Sequence, residues 1–224
     1  MSFREDYRQE NVGPRYSGTA HAWGVSITCL ATVGAALAQL HQVLPWEWLT
    51  LPLTFLVANA AEYFGHRGPM HHRRRGLGLI YQRHTLEHHR FFTHRDMAID
   101  SRRDFRIVLF PPLLLAFFLG GIAAPLGLGV FRTASPNCGW LFLATAVGYY
   151  LSYEWLHLSY HLPPNSWVGR RALVRRLRQH HCAHHDPALM GRANFNITFP
   201  LCDWLMRTGV SVGSPWKSEA GEAR

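Results

Sequence analysis

The chain lacks the means to build a cysteine-held scaffold. It has four cysteines in 224 residues, Cys29, Cys138, Cys182 and Cys202, and no CxxC pair. That scatter gives no disulfide framework and no cysteine-ligated zinc site. Formal charge is nearly missing from four long stretches, 22–44, 45–64, 107–131 and 138–158, which carry only Glu47, Glu62 and Glu154. Each approaches or exceeds the roughly 20 residues that cross a bilayer. Four such stretches leave a chain of this length too little polar surface for a soluble helical protein. The first is expected to stay in the protein. About twenty mixed residues precede it, and no small-residue cleavage signal ends it.

Basic residues are missing from one side. Of the 23 Lys and Arg, 22 fall in residues 1–20, 65–106 and 159–224, and Arg132 is the exception. With four crossings those three segments share a side, which the positive-inside rule makes cytoplasmic. The net charge of +9 is then a topological signal, and no nucleic-acid partner is expected. "RRR" at 73–75 and "VGRRALVRRLRQ" from 168 fall where anionic headgroups would lie. Pro111, Pro112, Pro125 and the pair Gly120–Gly121 are expected to kink or break the third stretch. The expected architecture is an all-α integral membrane protein of about four transmembrane helices under a cytoplasmic polyhistidine cap. Residues 1–20 form a cytoplasmic segment, 21–208 the membrane-embedded catalytic domain and 209–224 a flexible tail. The expected location is a bacterial inner membrane, with both termini and the metal site inside.

Histidine is what the chain has in excess, with 15. Ten fall in four clusters on the basic side or at its edge: His66 and His71; His84, His88 and His89; His157 and His161; His181, His184 and His185. His84/His88 and His157/His161 are four apart, on one face of an α-helix. His66 and His71 are five apart, poor for one straight face, with Gly68-Pro69 between them. The adjacent His88 and His89 are rotated about 100° from one another, so they can address two different metals. Ten imidazoles are too many for one ion and enough for two. Glu62, Glu87, Glu154 and Asp186 are candidates to accept the other ring N–H of metal-bound histidines. His72, His94 and His180 are weaker candidates for the same orienting task. Asn196, in "RANFNITFP", either reaches an open metal position or closes a turn.

These motifs, together with "HHDPALMGRANFNITFPLCDWLMRT", resemble the fatty acid hydroxylase/sterol desaturase superfamily of integral-membrane proteins, over about residues 55–208. The resemblance implies a non-haem diiron oxygenase. Two iron ions would be held by His66, His71, His84, His88, His89, His157, His161, His181, His184 and His185, with zinc possible in isolated protein. Asn196 would be the catalytic residue beside them and O2 the co-substrate. A membrane lipid or other apolar long chain would be hydroxylated, or desaturated by a second hydrogen removal. The box at 84–89 has three residues between its first two histidines where several lipid hydroxylases have two, which weakens transfer of any particular substrate. No cytochrome b5-like domain is fused to the chain, so a separate donor such as a ferredoxin or cytochrome with its reductase would supply electrons. Two rivals remain. A zinc hydrolase on the same scaffold would need no oxygen. A metal transporter or sensor would place ionisable groups in mid-span, whereas here they gather at one face.

Overall fold

The structure, a computed structural model, describes residues 2–210; most of the tail expected at 209–224 lies outside the described residues. The described residues fold as helices joined by short turns, with one isolated bridge between Thr93 and Asp96. Helix α1 (Phe3–Asn11) starts at a capping box in which Ser2 and Glu5 bond each other's backbone N–H. Helix α2 (Gly18–Leu37) is capped by the Ser17 hydroxyl. Then come α3 (Thr50–Gly65), α4 (Gly78–Tyr81), α5 (His89–Phe91), α6 (Phe105–Val108), α7 (Pro112–Phe117), α8 (Ala124–Thr133), α9 (Pro136–His161), α10 (Ala172–His184) and α11 (Leu201–Leu205).

Helix α9 is the axis of the bundle. The Ser135 hydroxyl caps it and Pro136 occupies its first turn, where a missing N–H costs nothing. It packs against α2, α3 and α8. Val147 and Leu151 of α9 meet Val25 and Cys29 of α2, together with Leu115 and Ala123. Gly139 lets α8 approach closely, since a Cβ there would lie 2.5 Å from the Cβ of Phe131. Close backbone approach at small residues is how helices pack where lipid removes the hydrophobic drive.

The expectation of four spans is met in part. Two helical runs are long and apolar enough to cross a bilayer, Gly18–Leu37 and Pro112–Thr133. Core helices of a soluble protein would be mostly buried, but these are 22% and 17% buried within the chain. Trp23, Ile27, Leu113, Phe117 and Leu126 point outward from them, as lipid-facing residues do. The second stretch falls short because α3 has only 16 residues. The fourth is long enough, but Tyr149, Tyr150, Tyr153 and Glu154 dilute its apolar character.

The prolines of the third stretch act in two ways. Leu109 and Pro111 are extended, so the chain breaks between α6 and α7. From Pro112 the helix runs on to Thr133 through a widened π-helical segment, Phe118–Ala123, that ends just before Pro125. A local change of hydrogen-bond register there spares the helix a break at the residue without an N–H.

Candidate metal centre

Two more π-helical segments lie where the histidines are, at His66–Met70 and Gln82–His88. In such a segment the backbone bonds run from i to i+5, so residues five apart come onto one side. In the first, Pro69 removes an N–H from the helix, and the turn widens around it. His66 and His71 therefore face together, as do His84 and His89. His88 turns elsewhere. The expectation that His84 and His88 serve one face assumed an α-helix, and the wider turn separates them.

The result is two groups. The ligating nitrogens of His66, His71, His84, His89 and His184 lie within 4.8 Å of one another, and so do those of His88, His157, His161 and His181. His185 joins the second group through His181, with Nε2 atoms 3.0 Å apart, while its ring stacks on His89 at 4.3 Å. The neighbours His88 and His89 thus belong to different groups, and His184 parts from His181 one turn away. All nine grouped histidines and His185 are buried.

The ring tautomers decide what these groups are for. Nδ1 of His66 donates to Phe195 O at 2.5 Å and Nδ1 of His184 to Ala193 O at 2.8 Å. Nδ1 of His88, His161 and His185 donates to the carbonyls of Ile107, Met97 and Phe92 at 3.2, 2.8 and 2.6 Å. Thr85 gives its hydroxyl proton to Met70 O at 2.6 Å, so it can only accept from His71 Nδ1 at 3.2 Å. Each of these rings then presents a bare Nε2 lone pair. His71 Nε2 and His184 Nε2 face each other at 2.9 Å with no proton between them. Two lone pairs at that distance repel unless a cation sits between their axes. Imidazoles around one ion at about 2.1 Å stand roughly 3.0–3.4 Å apart at neighbouring vertices. The Nε2 separations here, 2.8 Å for His66–His84, 3.1 Å for His84–His89, 3.2 Å for His161–His181 and 3.3 Å for His88–His157, have that size. The donor set fits two ions.

Electrostatics agree. Burial, and then the neighbouring imidazoles, push His84, His89 and His181 well below the ordinary histidine range. Burial lowers His66 to about 4. The neutral ring is the form that ligates a metal.

Carboxylates do not orient the rings as the sequence reading expected. Main-chain carbonyls take that place for His66, His88, His161, His184 and His185, and the Thr85 hydroxyl for His71. Glu62 instead accepts from the N–H groups of Ile197 and Thr198 and from the Thr198 hydroxyl, at 2.5, 3.0 and 2.6 Å, and from the Tyr149 hydroxyl. Glu154 accepts from Phe110 N at 3.2 Å, Glu87 from Gln82 at 3.1 Å, and Asp186 from Ala188 N at 2.9 Å. His72 bonds Arg67 O, and His94 gives its carbonyl to Cys182. His180 meets Asp203 at 3.3 Å.

Asn196 is buried, and both ends of its amide are engaged by main chain. Nδ2 donates to Asn59 O at 2.9 Å and Oδ1 accepts from Cys202 N at 3.0 Å. That is the geometry of a residue closing a turn.

Asp203 was not singled out from sequence. It is fully buried and accepts from Phe195 N, Asn196 N, the Thr208 hydroxyl and His180. Burial raises its pKa, but those four bonds outweigh it and leave the carboxyl below its ordinary value. The ring-holding carbonyls were also missed, because every residue has one and none carries a sequence signature.

Fold and site define a membrane-associated helical protein with a buried, two-centre polyhistidine cap. Residues 51–208 match the family model described as Fatty acid hydroxylase, and the chain belongs to that family. All ten histidines lie within the match. No curated protein and no solved structure matches the chain. As a member of that superfamily with two histidine clusters, the protein is a diiron-type oxidoreductase acting on an apolar substrate.

Proposed function

We propose that the two groups hold two iron ions and that the enzyme uses O2 to hydroxylate a long-chain lipid. The observation that carries this reading is the pair of buried imidazole groups with facing lone pairs, linked to each other through His88–His89 and set at the ends of α3 and α9, in a chain whose helices leave apolar residues outward. The ten residues that would ligate are His66, His71, His84, His89 and His184 for one ion, and His88, His157, His161, His181 and His185 for the other. When bound, two ferrous ions supply the reductive activation of O2 that an unactivated C–H bond requires, a task for which zinc has no redox states. The overall balance places one oxygen atom in an alcohol and the other in water, with two electrons and two protons from a separate donor.

The chain's own residues hold, orient and dry the site. The backbone carbonyls fix the tautomers, and Phe92 and Phe195, both fully buried, pack on the imidazoles. Water kept from the centre cannot compete for the oxidant. Selectivity then rests on where the substrate carbon is placed. Asn196 serves by shaping the 193–198 turn.

The test is turnover by iron-loaded protein with a reductase system under heavy-isotope O2, with labelled water as control. Alcohol carrying label from O2 is expected. An alkene formed with O2 consumed selects desaturation on the same centre. Label from water alone rejects the oxygenase and favours a hydrolase.

The proposed topology has α3 and α9 crossing beside the two apolar runs, with the cap and both termini cytoplasmic. Leu53, Leu56 and Val57 of α3 also face outward, and the basic residues gather at the cap end of the sequence map. Reporters fused near Gly18 and Arg75 should read cytoplasmic, and those near His41 and Pro136 external. A cytoplasmic signal at His41 or Pro136 defeats the arrangement.

A further inference from the structure

We propose that the two histidine groups are positioned by two separate charged clamps, one gripping the 193–198 turn over the first group and the other gripping the 92–107 segment over the second. The inference rests on the two-ion reading above.

The first clamp is acidic. The turn supplies Phe195 O to His66 and Ala193 O to His184. An isolated turn could not hold two carbonyls at fixed angles inside a buried site. Glu62 takes its N–H groups at 197 and 198, and Asp203 takes those at 195 and 196, at 2.9 and 2.7 Å. Four consecutive donors are thus consumed by two carboxylates from different elements, half-buried Glu62 of α3 and fully buried Asp203 of α11. A peptide plane carries the N–H of one residue and the carbonyl of the one before it, so the Asn196 N–H held by Asp203 fixes Phe195 O toward His66. Ala193 O shares its plane with the Asn194 N–H, which donates to Thr208 O at 3.1 Å, and the Thr208 hydroxyl is itself held by Asp203. Glu62 anchors the two peptides that follow.

The second clamp is basic and comes from the N-terminus. The 92–107 segment supplies Phe92 O to His185, Met97 O to His161 and Ile107 O to His88. Its only helical pieces are a 3-10 turn at Arg102–Asp104 and the short α6. Helix α1 staples it. The Arg4 guanidinium donates to the carbonyls of Phe91, Asp96 and Ala98 at 2.8, 2.7 and 3.0 Å and lies over the Phe91 and Phe92 rings. Arg8 forks onto Asp104 at 2.7 and 2.9 Å. Asp104, itself buried, accepts from the N–H groups of Asp100 and Ser101 just ahead of α6, which carries Ile107. Tyr7 of α1 and Val12 just after it pack into the same apolar cluster as Phe91, Phe92, Met97 and Ile107. The N-terminal segment is therefore a strap across the second group.

The two clamps share no residue, so their effects should separate. Loss of a partner that orients a ligating histidine typically weakens metal binding by about 10–100-fold. Full-length protein in detergent is titrated with Zn(II) against a competing chelator. His184→Ala leaves an ion in the second group, and His181→Ala leaves one in the first. Adding Arg4→Ala should weaken the remaining ion by about 10–100-fold in the His184→Ala background and leave the His181→Ala background little changed. Asp203→Asn should do the reverse. Glu62→Gln repeats the acidic arm from the other end of the turn, should Asp203→Asn not fold. Matching metal-free helical content between each variant and its parent keeps the comparison one of positioning. Equal weakening in both backgrounds, or none in either, overturns the clamps while wild type still binds two ions. A wild type that binds fewer than two overturns the two-ion reading itself.

Discussion

Replacing His184 with alanine is expected to lower bound metal from two ions per chain to one and to stop turnover. His184 offers its Nε2 to the first group, 2.9 Å from that of His71, and its Nδ1 is committed to Ala193 O. Its removal leaves a cavity in a site whose other histidines are buried. Loss of an orienting partner alone costs about 10–100-fold in affinity or activity, and loss of the ligand should exceed that. His88→Ala should strip the other ion and be as damaging, because groups that act as a unit fail together. Metal analysis of purified protein, paired with product assay, checks both. An active His184→Ala protein with two ions still bound would reject the assignment. Zinc in the preparation would leave the working metal open, since zinc outcompetes ferrous iron at nitrogen sites.

The metal-free protein should lose stability steeply as pH falls below about 6.5, and metal should protect it. Burial depresses His66 to about 4 and holds His71, His84, His88, His89, His181, His184 and His185 below the ordinary value of 6.5. The sign follows from proton counting. Below pH 6.5 the unfolded chain takes up protons on these rings and the folded chain does not, so stability is complete above 6.5 and drains as pH falls. Each depressed ring removes up to about 1.4 kcal/mol per pH unit. Several acting together approach the roughly 5–15 kcal/mol that holds a domain folded within one or two units. Bound metal adds a further preference for the folded, unprotonated rings. Thermal unfolding of stripped and metal-loaded protein from pH 7.5 to 5 should show a fall in midpoint for the stripped form and a smaller, later fall for the loaded one. A stripped protein as stable at pH 5 as at pH 7.5 would show that the rings are not held neutral by burial.

The sequence went furthest where a physical constraint acts on side-chain type alone. Bilayer thickness demands about twenty apolar residues, so the runs around α2 and from Pro112 to Thr133 were visible as strings of letters. The same rule picks out α3 and α9 less sharply, because α3 has only 16 residues and α9 carries tyrosines and a carboxylate on faces packed against protein. Histidine clustering announced two metals, since ten buried imidazoles have no cheaper resolution than shared cations. The split of His88 from His89 was legible for the same reason, being only a matter of rotation about a helix.

Which histidine serves which group was not legible. It depends on π-helical turns at His66–Met70 and Gln82–His88. Pro69 marks the first, but nothing local marks the second, whose widened turn is fixed by the two centres its histidines must reach. Asn196 stood out as a polar residue near the last cluster, yet the tertiary fold gives both ends of its amide to main chain. The carboxylates read as ring partners were drawn off to Phe110, Ile197 and Thr198, and the rings bonded carbonyls instead. By itself the sequence determined the all-α fold with its histidine-rich cap and the family, because those follow from side-chain chemistry and spacing. The tertiary structure alone decided the five-and-four grouping, the place of His185 beside the second group, and the roles of Arg4, Arg8, Glu62 and Asp203. Those depend on peptide groups that every residue shares, and only the folded chain says which way a peptide points.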